Sequence, residues 1–266
     1  MLKQRLVTAL ILLPLLVAAI WFDEPLPWLT IFIAIWGVLA VLEFYRMVAT
    51  PKVLPLTGFG LIWTLMFVLS PHFDYTILDP LLLTSAIMLP LIWFVLRPKK
   101  EESFSSWVWT IAGILYVGWL LSHFVALRGL DFGREWVLFA LFTTFASDST
   151  AFFIGRAWGQ HHLAPHVSPR KTWEGAVAGV FGAIIASLLL NAFFNLPLNY
   201  GQAMLLGVAV SIIGQFGDLV ESLFKRNMGV KDSGKGVPGY GGFLDRIDSV
   251  VFAGIVVYYY VILFSG

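Results

Sequence analysis

Cysteine is absent from this chain of 266 residues, and charged residues are few. Without cysteine the chain can form neither a disulfide bond nor a thiolate metal site, so any metal must bind through oxygen or imidazole ligands. Aspartate, glutamate, lysine and arginine make up 12% of the residues, whereas ordinary soluble domains contain about 25%. This scarcity of charge argues against an ordinary soluble domain.

The sequence is instead dominated by apolar residues, at 59% of the chain with a mean hydropathy of +0.84. Apolar runs of roughly 18 residues or more recur from end to end, which predicts an all-α, polytopic integral membrane protein. Many of the eleven tryptophans and eight tyrosines lie near the ends of these runs, as in the aromatic belts of membrane proteins. Nine transmembrane helices are predicted, at residues 6–22, 28–45, 55–71, 78–96, 105–127, 136–155, 174–194, 201–223 and 247–264.

The distribution of basic residues predicts the orientation of these helices. If the N-terminus is cytoplasmic, fifteen of the seventeen basic residues fall in inside segments, and only Arg128 and Arg134 fall outside. The positive-inside rule then favours a multi-pass protein of the cell (inner) membrane with a cytoplasmic N-terminus. Helices in the first half are nearly free of charge, Glu43 being the main exception. We therefore expect residues 1–135 to be a scaffold of about five helices, and 136–266 a catalytic region of about four helices with two cytoplasmic loops.

Three groups of acidic residues lie at or near the predicted cytoplasmic face. Such residues are costly inside a membrane and usually face a protein interior or a water-filled cavity. The first group is Asp148 in "FASDSTAFFIGR", the second contains Asp218, Glu221, Ser222 and Lys225 on one helical face, and the third contains Asp245, Asp248 and Ser249. All three could converge on one cavity, and oxygen ligands of this kind suit Mg²⁺. The plainer alternative is a buried polar contact between Asp218 and Glu221, paired with Arg226 or Arg246.

The histidines offer no comparable metal site. His161, His162 and His166 share a polar loop, but they lack the H-x-x-x-H spacing that presents two imidazoles on one helical face. We expect them to be solvated or loosely substrate-facing.

Two glycine-containing or basic loops accompany the acidic groups. In "HVSPRKTWEG", Ser168-Pro169 is a turn signal, Thr172 can cap the next helix, and Glu174 lies in its first turn. A helix N-terminus just after Arg170 and Lys171 can bind an anion, although positive-inside charge and ordinary capping would give the same pattern. The second loop, "KDSGKGVPGYGGFLDRID", contains five glycines that permit close approach of the backbone to a ligand. It lacks the residue order of a P-loop.

The stretch from Ser222 to Asp248 resembles the signature of the phosphatidate cytidylyltransferase (CDP-diacylglycerol synthase) family. That pattern runs S-x-x-K-R, K-D, P-G-H-G-G and D-R-x-D, and the spacing matches here. "SDSTAFFIGR" followed by "SPRKTWEG" is similar to the family's second characteristic region. The resemblance covers about residues 147–249 at the level of motifs. One departure is Tyr240, where the family usually has histidine; because a phosphate nucleophile is already ionised, we do not expect a base there.

The resemblance implies Mg²⁺-dependent transfer of the cytidylyl group of CTP to phosphatidic acid, which gives CDP-diacylglycerol and pyrophosphate in phospholipid biosynthesis. The implied metal ligands are Asp218 and Asp245, with Asp248 and Asp148 either as secondary ligands or as groups that orient a ligand. A second cation could be monovalent, such as K⁺. Lys171, Lys225, Arg226, Lys231 and Arg246 would bind phosphates. Further substrate contacts are expected from Ser168, Glu174, Ser222, Asp232, Lys235, Gly241 and Gly242. The resemblance also implies a homodimer, and no nucleic-acid partner is expected.

Two alternatives stay open at this point. A related CTP-dependent lipid enzyme, such as a polyprenol kinase or an archaeal ether-lipid CDP synthase, would share the nucleotide and metal chemistry. An ion-coupled transporter would use intramembrane carboxylates to bind protons or Na⁺, but the polar residues lie toward one membrane face and no inverted repeat is visible.

Overall fold

The structure is a computed structural model that describes residues 2–22, 25–73, 75–97, 103–239 and 241–264, without the side chains of residues 2–6 and 9. Tyr240, which departs from the family pattern, lies outside the described residues. The helices are α1 Leu2–Trp21, α2 Trp28–Val48, α3 Thr57–Leu69, α4 Leu78–Leu96, α5 Ser103–Gly113, α6 Leu120–Arg128, α7 Gly133–Trp158, α8 Trp173–Phe194, α9 Tyr200–Asn227 and α10 Asp248–Phe264. A π-helical stretch, Ile114–Trp119, joins α5 to α6, and 3₁₀ turns occupy Ser70–His72 and Leu244–Arg246.

Each predicted transmembrane segment contains a helix, but the helices differ in length. Within the described residues, six are long and apolar enough to cross a membrane: Trp28–Val48, Leu78–Leu96, Ser103–Arg128, Gly133–Trp158, Trp173–Phe194 and Tyr200–Asn227. The apolar part of α1 that qualifies is shorter, and so are α3 and α10. The fold is thus nearly all-α with six candidate spans, and the count of nine spans and the orientation stay predictions.

The chain forms two compact units. Unit 1 comprises Met1–Ala126 and Asp232–Asp245, and unit 2 comprises Leu127–Lys231 and Arg246–Gly266. The segment Asp232–Asp245, here named the glycine-rich loop, therefore belongs with the N-terminal helices. The division at residue 135 into scaffold and catalytic regions stays a prediction about roles.

In unit 1, a buried tyrosine joins three helices. Tyr45 of α2 is 1% exposed, and its hydroxyl donates to the carbonyl of Thr110 in α5 at 2.7 Å. The ring lies against Gly60 and Gly113, where a methyl group would overlap it. These two glycines therefore let α3 and α5 approach α2 closely around one satisfied polar group.

In unit 2, α8 packs on α7 through small residues at four-residue spacing. A Cβ atom at Gly175 would lie 2.7 Å from the Ala151 carbonyl oxygen, and one at Gly179 would lie 3.1 Å from the Ser147 carbonyl oxygen. Small residues at this spacing let membrane helices approach closely, where packing must stabilise association without a hydrophobic driving force. The opposite face of α8 is exposed and apolar, which suits contact with lipid: Val177, Phe181, Ile185, Leu189 and Phe193.

Helix α9 contains two of the predicted acidic residues, Asp218 and Glu221. Asn199 and Gln202 form a capping box at its start, with both hydrogen bonds at 2.9 Å. Its 28 residues would extend about 42 Å at 1.5 Å per residue. Gly217 lies directly against the carbonyl oxygen of Asp248 and the ring of Phe252. Glycine at this position therefore lets the C-terminal half of α9 approach the start of α10 closely.

A two-stranded hairpin departs from the all-α prediction. Strands β1 His162–Ala164 and β2 Ser168–Thr172 pair antiparallel between α7 and α8. The predicted turn at Ser168-Pro169 is wrong, because these residues begin β2 and the turn lies at residues 165–167. The predicted helix cap is confirmed, since Thr172 Oγ1 accepts a hydrogen bond from the amide of Gly175 at 3.2 Å.

Candidate metal and phosphate site

Three carboxylates in unit 2 approach one another at the junction of α9 and α10. Asp218, Glu221 and Asp248 each offer an oxygen atom, and these atoms lie within 4.8 Å of one another. We name these three residues the acidic cluster. The spacing of Asp218 and Glu221 within α9 places them on the same helical face, and the close crossing at Gly217 brings in the first residue of α10. Local helix geometry and one glycine thus build the cluster.

Electrostatic repulsion makes the acidic cluster a site for positive charge. Two unit charges 4.8 Å apart repel by about 3.5 kcal/mol at an effective dielectric constant of ~20. Lys225, 8% exposed, contacts Glu221 Oε2 at 2.5 Å, and Lys171 contacts Asp218 Oδ2 at 2.9 Å. These two ion pairs engage Asp218 and Glu221, and a cation held among the three carboxylates would offset the repulsion between them further.

A fourth carboxylate joins the acidic cluster through a serine. The Ser249 hydroxyl donates to Asp148 Oδ2 at 2.9 Å, and the Ser249 amide donates to Asp248 Oδ1 at 2.8 Å. With Asp148 included, four carboxylates lie around the two lysine pairs, a set of donors suited to a divalent cation. The donors are hard oxygen atoms, which fit Mg²⁺ rather than a soft metal.

Lys171 reaches the acidic cluster from the hairpin. Its ammonium group contacts both Asp218 and, at 3.3 Å, the carbonyl oxygen of Gln215 in α9. Ser222 lies one turn after Asp218, and its hydroxyl donates to Asp218 Oδ1 at 3.4 Å. The predicted residues Lys171, Ser222 and Asp218 are therefore brought together.

The other predicted residues of unit 2 lie around this group with different partners. Arg226 is exposed, and its guanidinium donates at 3.3 Å to the carbonyl oxygens of both Val167 and Val230. Glu174 accepts from the ring and backbone nitrogens of His161, with 2.6 Å to Nδ1. His161 is thus a partner of a carboxylate in the hairpin region. Of the other predicted site residues in unit 2, Ser168 begins β2, and Lys231 and Arg246 are exposed.

In unit 1, the glycine-rich loop folds around its own carboxylate. Asp245 Oδ2 accepts hydrogen bonds from the amide of Ser233 at 3.0 Å, the hydroxyl of Ser233 at 3.1 Å and the amide of Gly242 at 2.7 Å. Gly241 has φ +91°, a conformation that favours glycine, and its carbonyl accepts from Val237. Asp232 and Lys235 are exposed.

Two carboxylates of these arrangements, Glu221 and Glu43, are not among the predicted site residues. The helical spacing puts Glu221 on the same face as Asp218, but Glu221 is not among the predicted metal ligands. The spacing of three residues was the signal that could have identified it. Glu43 was noted only as an exceptional charge in α2, whereas its carboxylate accepts from Ser233 and Leu244 of the glycine-rich loop. The signal available for Glu43 was its position as an isolated acid within a predicted transmembrane helix, where acids are costly.

Comparisons with known proteins cover the whole chain. Residues 3–264 match the model of the cytidylyltransferase family. A protein of Bacillus subtilis named phosphatidate cytidylyltransferase is 34% identical over 99% of this chain and 98% of its own length. Proteins of that name are 38% identical over 61% of this chain and 62% of the relative in Staphylococcus haemolyticus, and 40% over 59% and 58% in Brucella abortus. The match argues against the transporter alternative, and the chain belongs to the cytidylyltransferase family of membrane enzymes.

Proposed function

We propose that this protein transfers the cytidylyl group of CTP to phosphatidic acid, giving CDP-diacylglycerol and pyrophosphate. The observation that carries the proposal is the acidic cluster with its paired lysines, since a reaction between two anions needs positive charge held in place. The nearly full-length similarity to the Bacillus subtilis protein and the signature from Ser222 to Asp248 support the choice of substrates.

The chemistry requires alignment and charge neutralisation more than proton transfer. An oxygen of the lipid phosphate forms a bond to the α-phosphorus of CTP, and the bond from that phosphorus to the bridging oxygen of the β-phosphate breaks. Pyrophosphate leaves with that electron pair. Because the attacking phosphate is already ionised, no residue needs to serve as a general base, which is consistent with Tyr240 in place of histidine.

Mg²⁺ is the cofactor that the donor set suits best. Asp218, Glu221 and Asp248 would hold the ion, and Asp148 would orient Asp248 through Ser249. When bound, Mg²⁺ would neutralise phosphate charge during transfer. Asp245 as a further ligand is proposed on the D-R-x-D pattern alone, and a second, monovalent cation such as K⁺ stays a proposal from the resemblance.

The predicted basic residues differ in their exposure to solvent, and this difference suggests different roles. Lys225 is buried beside Glu221, so its contribution would be to hold that carboxylate in place. Lys171 is partly exposed beside Asp218 and could exchange this partner for a phosphate. The exposed residues Arg226, Lys231 and Arg246 would attract CTP and the lipid headgroup.

The membrane setting of the reaction follows from the predicted orientation. The basic segments favour the cytoplasmic side, where CTP is available, and phosphatidic acid would enter sideways from the inner leaflet. We accordingly propose a role in phospholipid biosynthesis in the cell membrane. A homodimer is proposed from the family resemblance.

A panel of substrates tests this function. Purified protein in detergent with Mg²⁺ should release pyrophosphate only when CTP and phosphatidic acid are both present, with GTP and a polyprenol as control substrates. Release of CDP together with a phosphorylated polyprenol would instead identify a lipid kinase. Absence of pyrophosphate with phosphatidic acid, despite folded protein, would contradict the proposal.

A further inference from the structure

Glu43 is a buried carboxylate of α2 that contacts the glycine-rich loop. It is 8% exposed, and its Oε2 atom accepts hydrogen bonds from the Ser233 hydroxyl and the Leu244 amide, both at 3.1 Å. Burial of an ionised group is costly unless donors surround it. The contacts thus join the two ends of the loop to one side chain more than 180 residues earlier in the sequence.

The glycines of the loop fit closely around this carboxylate. A methyl group at Gly234 would overlap Glu43 Oε1, and one at Gly242 would overlap Glu43 Oε2 and the Ser233 hydroxyl. A Cβ atom at Gly236 would lie 3.0 Å from Glu43 Oε1 and overlap the ring of Phe243. These glycines therefore have a structural purpose within the protein, namely to admit the Glu43 carboxylate.

Ser233 connects Glu43 to Asp245. Its hydroxyl oxygen lies 3.1 Å from both Glu43 Oε2 and Asp245 Oδ2. The hydroxyl has one proton to share between the two acceptors, while the amides of Ser233 and Gly242 also donate to Asp245. The position of Asp245 thus depends on a loop whose two ends are held by Glu43.

We propose that Glu43 is a positioning residue that fixes the glycine-rich loop and, through Ser233 and the Leu244 amide, orients Asp245 for cytidylyl transfer. The inference rests on the proposed function, in which Asp245 is a metal ligand. Hydrogen-bond acceptance by the side chain at position 43 is the property that matters, since both donors meet one oxygen atom. Glutamine can present a carbonyl oxygen there, whereas alanine cannot.

The test compares four variants with wild type: Glu43→Gln, Glu43→Ala, Ser233→Ala and the double variant Glu43→Ala/Ser233→Ala. Glu43→Ala should lower kcat about 10- to 100-fold, as expected for misplacement of a catalytic group, and raise the Mg²⁺ concentration for half-maximal rate. Glu43→Gln should retain most activity. Because Glu43 and Ser233 act together, the double variant should be little worse than Glu43→Ala alone.

Two controls separate positioning from loss of folding. Ser122→Ala removes a hydroxyl of the same unit that donates to the nearby Trp119 carbonyl, and it should leave the Mg²⁺ dependence unchanged. Trypsin provides a readout independent of activity, since Lys231 and Lys235 at the loop are exposed. Glu43→Ala should be cleaved there several-fold faster than wild type or Ser122→Ala.

Each result has a distinct meaning. Wild-type rates of cleavage and unchanged Mg²⁺ dependence in Glu43→Ala would overturn the inference. Equal loss in Glu43→Gln and Glu43→Ala would overturn the assignment to hydrogen-bond acceptance. If wild type makes no CDP-diacylglycerol, the proposed function fails, and the cleavage assay alone decides whether Glu43 holds the loop.

Discussion

At the scale of single residues, one feature that bears on stability is the buried ion pair of Glu221 and Lys225. Glu221 is 0% exposed and Lys225 8%, and they lie one helical turn apart in α9. Removing one partner of such a pair is far more damaging than losing a surface salt bridge, because a buried charge then loses its oppositely charged neighbour. The pair therefore links the stability of α9 to the geometry of the acidic cluster.

The first prediction concerns this pair. Glu221→Gln breaks a buried pair, which usually costs about 3–5 kcal/mol, but it also relieves the repulsion of Glu221 by Asp218 and Asp248. The free energy of unfolding should therefore fall by less than the full cost of the pair, measured as a fall in melting temperature in detergent. Glu135→Gln is the matched control, since Glu135 pairs with the partly exposed Arg134 and should cost about 0–1 kcal/mol. Adding Lys225→Met to Glu221→Gln should restore part of the loss. Equal melting temperatures for the two single variants would contradict this account.

Individual residues also show how far the sequence could predict the site. The proximity of Asp218 and Glu221 could be predicted from the sequence, because a helix places residues three apart on one face. The family pattern marked Asp245, yet no local rule could reveal that its carboxylate accepts from Ser233 and Gly242. Glu43 was visible only as an isolated acid, because its partners lie about 190 and 201 residues away.

At the scale of elements, the crossing of α9 and α10 determines the acidic cluster. Gly217 has backbone and ring atoms of α10 where a side chain would begin, so the two helices can meet only if this position lacks Cβ. The sequence indicates this crossing only in part. Gly217 lies inside a predicted helix, where glycine is costly and suggests a packing role.

The second prediction tests that crossing. Gly217→Ala should lower the free energy of unfolding by about 1–3 kcal/mol, as overpacking does. It should also lower the rate of pyrophosphate release by the protein that stays folded, because Asp248 moves away from α9. Gly58→Ala is the control, because a methyl group at Gly58 meets no atom within 4 Å. Melting temperature and the rate of pyrophosphate release should be measured for both. Full activity in Gly217→Ala would show that the crossing tolerates a side chain.

The elements also show where prediction from sequence failed. Long apolar runs predicted helices because backbone groups in a membrane must be paired within the segment. The hairpin was missed, since the turn lies at residues 165–167 and Pro169 stands inside β2, where proline normally argues against a strand. The segment predicted to be a loop therefore contains two paired strands with the turn between them.

At the scale of the whole molecule, the distribution of basic residues predicts the orientation in the membrane. Six helices of the described residues are candidates for crossing, and the positive-inside rule predicts that the N-terminus and the glycine-rich loop face the cytoplasm. Because the natural chain has no cysteine, single introduced thiols can report their side without background.

The third prediction uses this property. Asp131→Cys, in the exposed turn after α6, should react with a membrane-impermeant maleimide in intact cells. Lys235→Cys, exposed in the glycine-rich loop, should react only after the membrane is permeabilised. Both variants should react fully in detergent, which controls for thiol accessibility. The reverse pattern would invert the proposed orientation.

The central claim is that the acidic cluster holds Mg²⁺ for cytidylyl transfer, and the most direct measurement is the Mg²⁺ dependence of CDP-diacylglycerol formation. Wild type, Asp248→Asn and the control Asp131→Asn, at an exposed turn, would be compared at saturating CTP and phosphatidic acid. The account predicts Mg²⁺-dependent product from wild type and Asp131→Asn, and a loss of at least about 100-fold in Asp248→Asn, equivalent to roughly 2.7 kcal/mol. Wild-type Mg²⁺ dependence and rate in folded Asp248→Asn would contradict it.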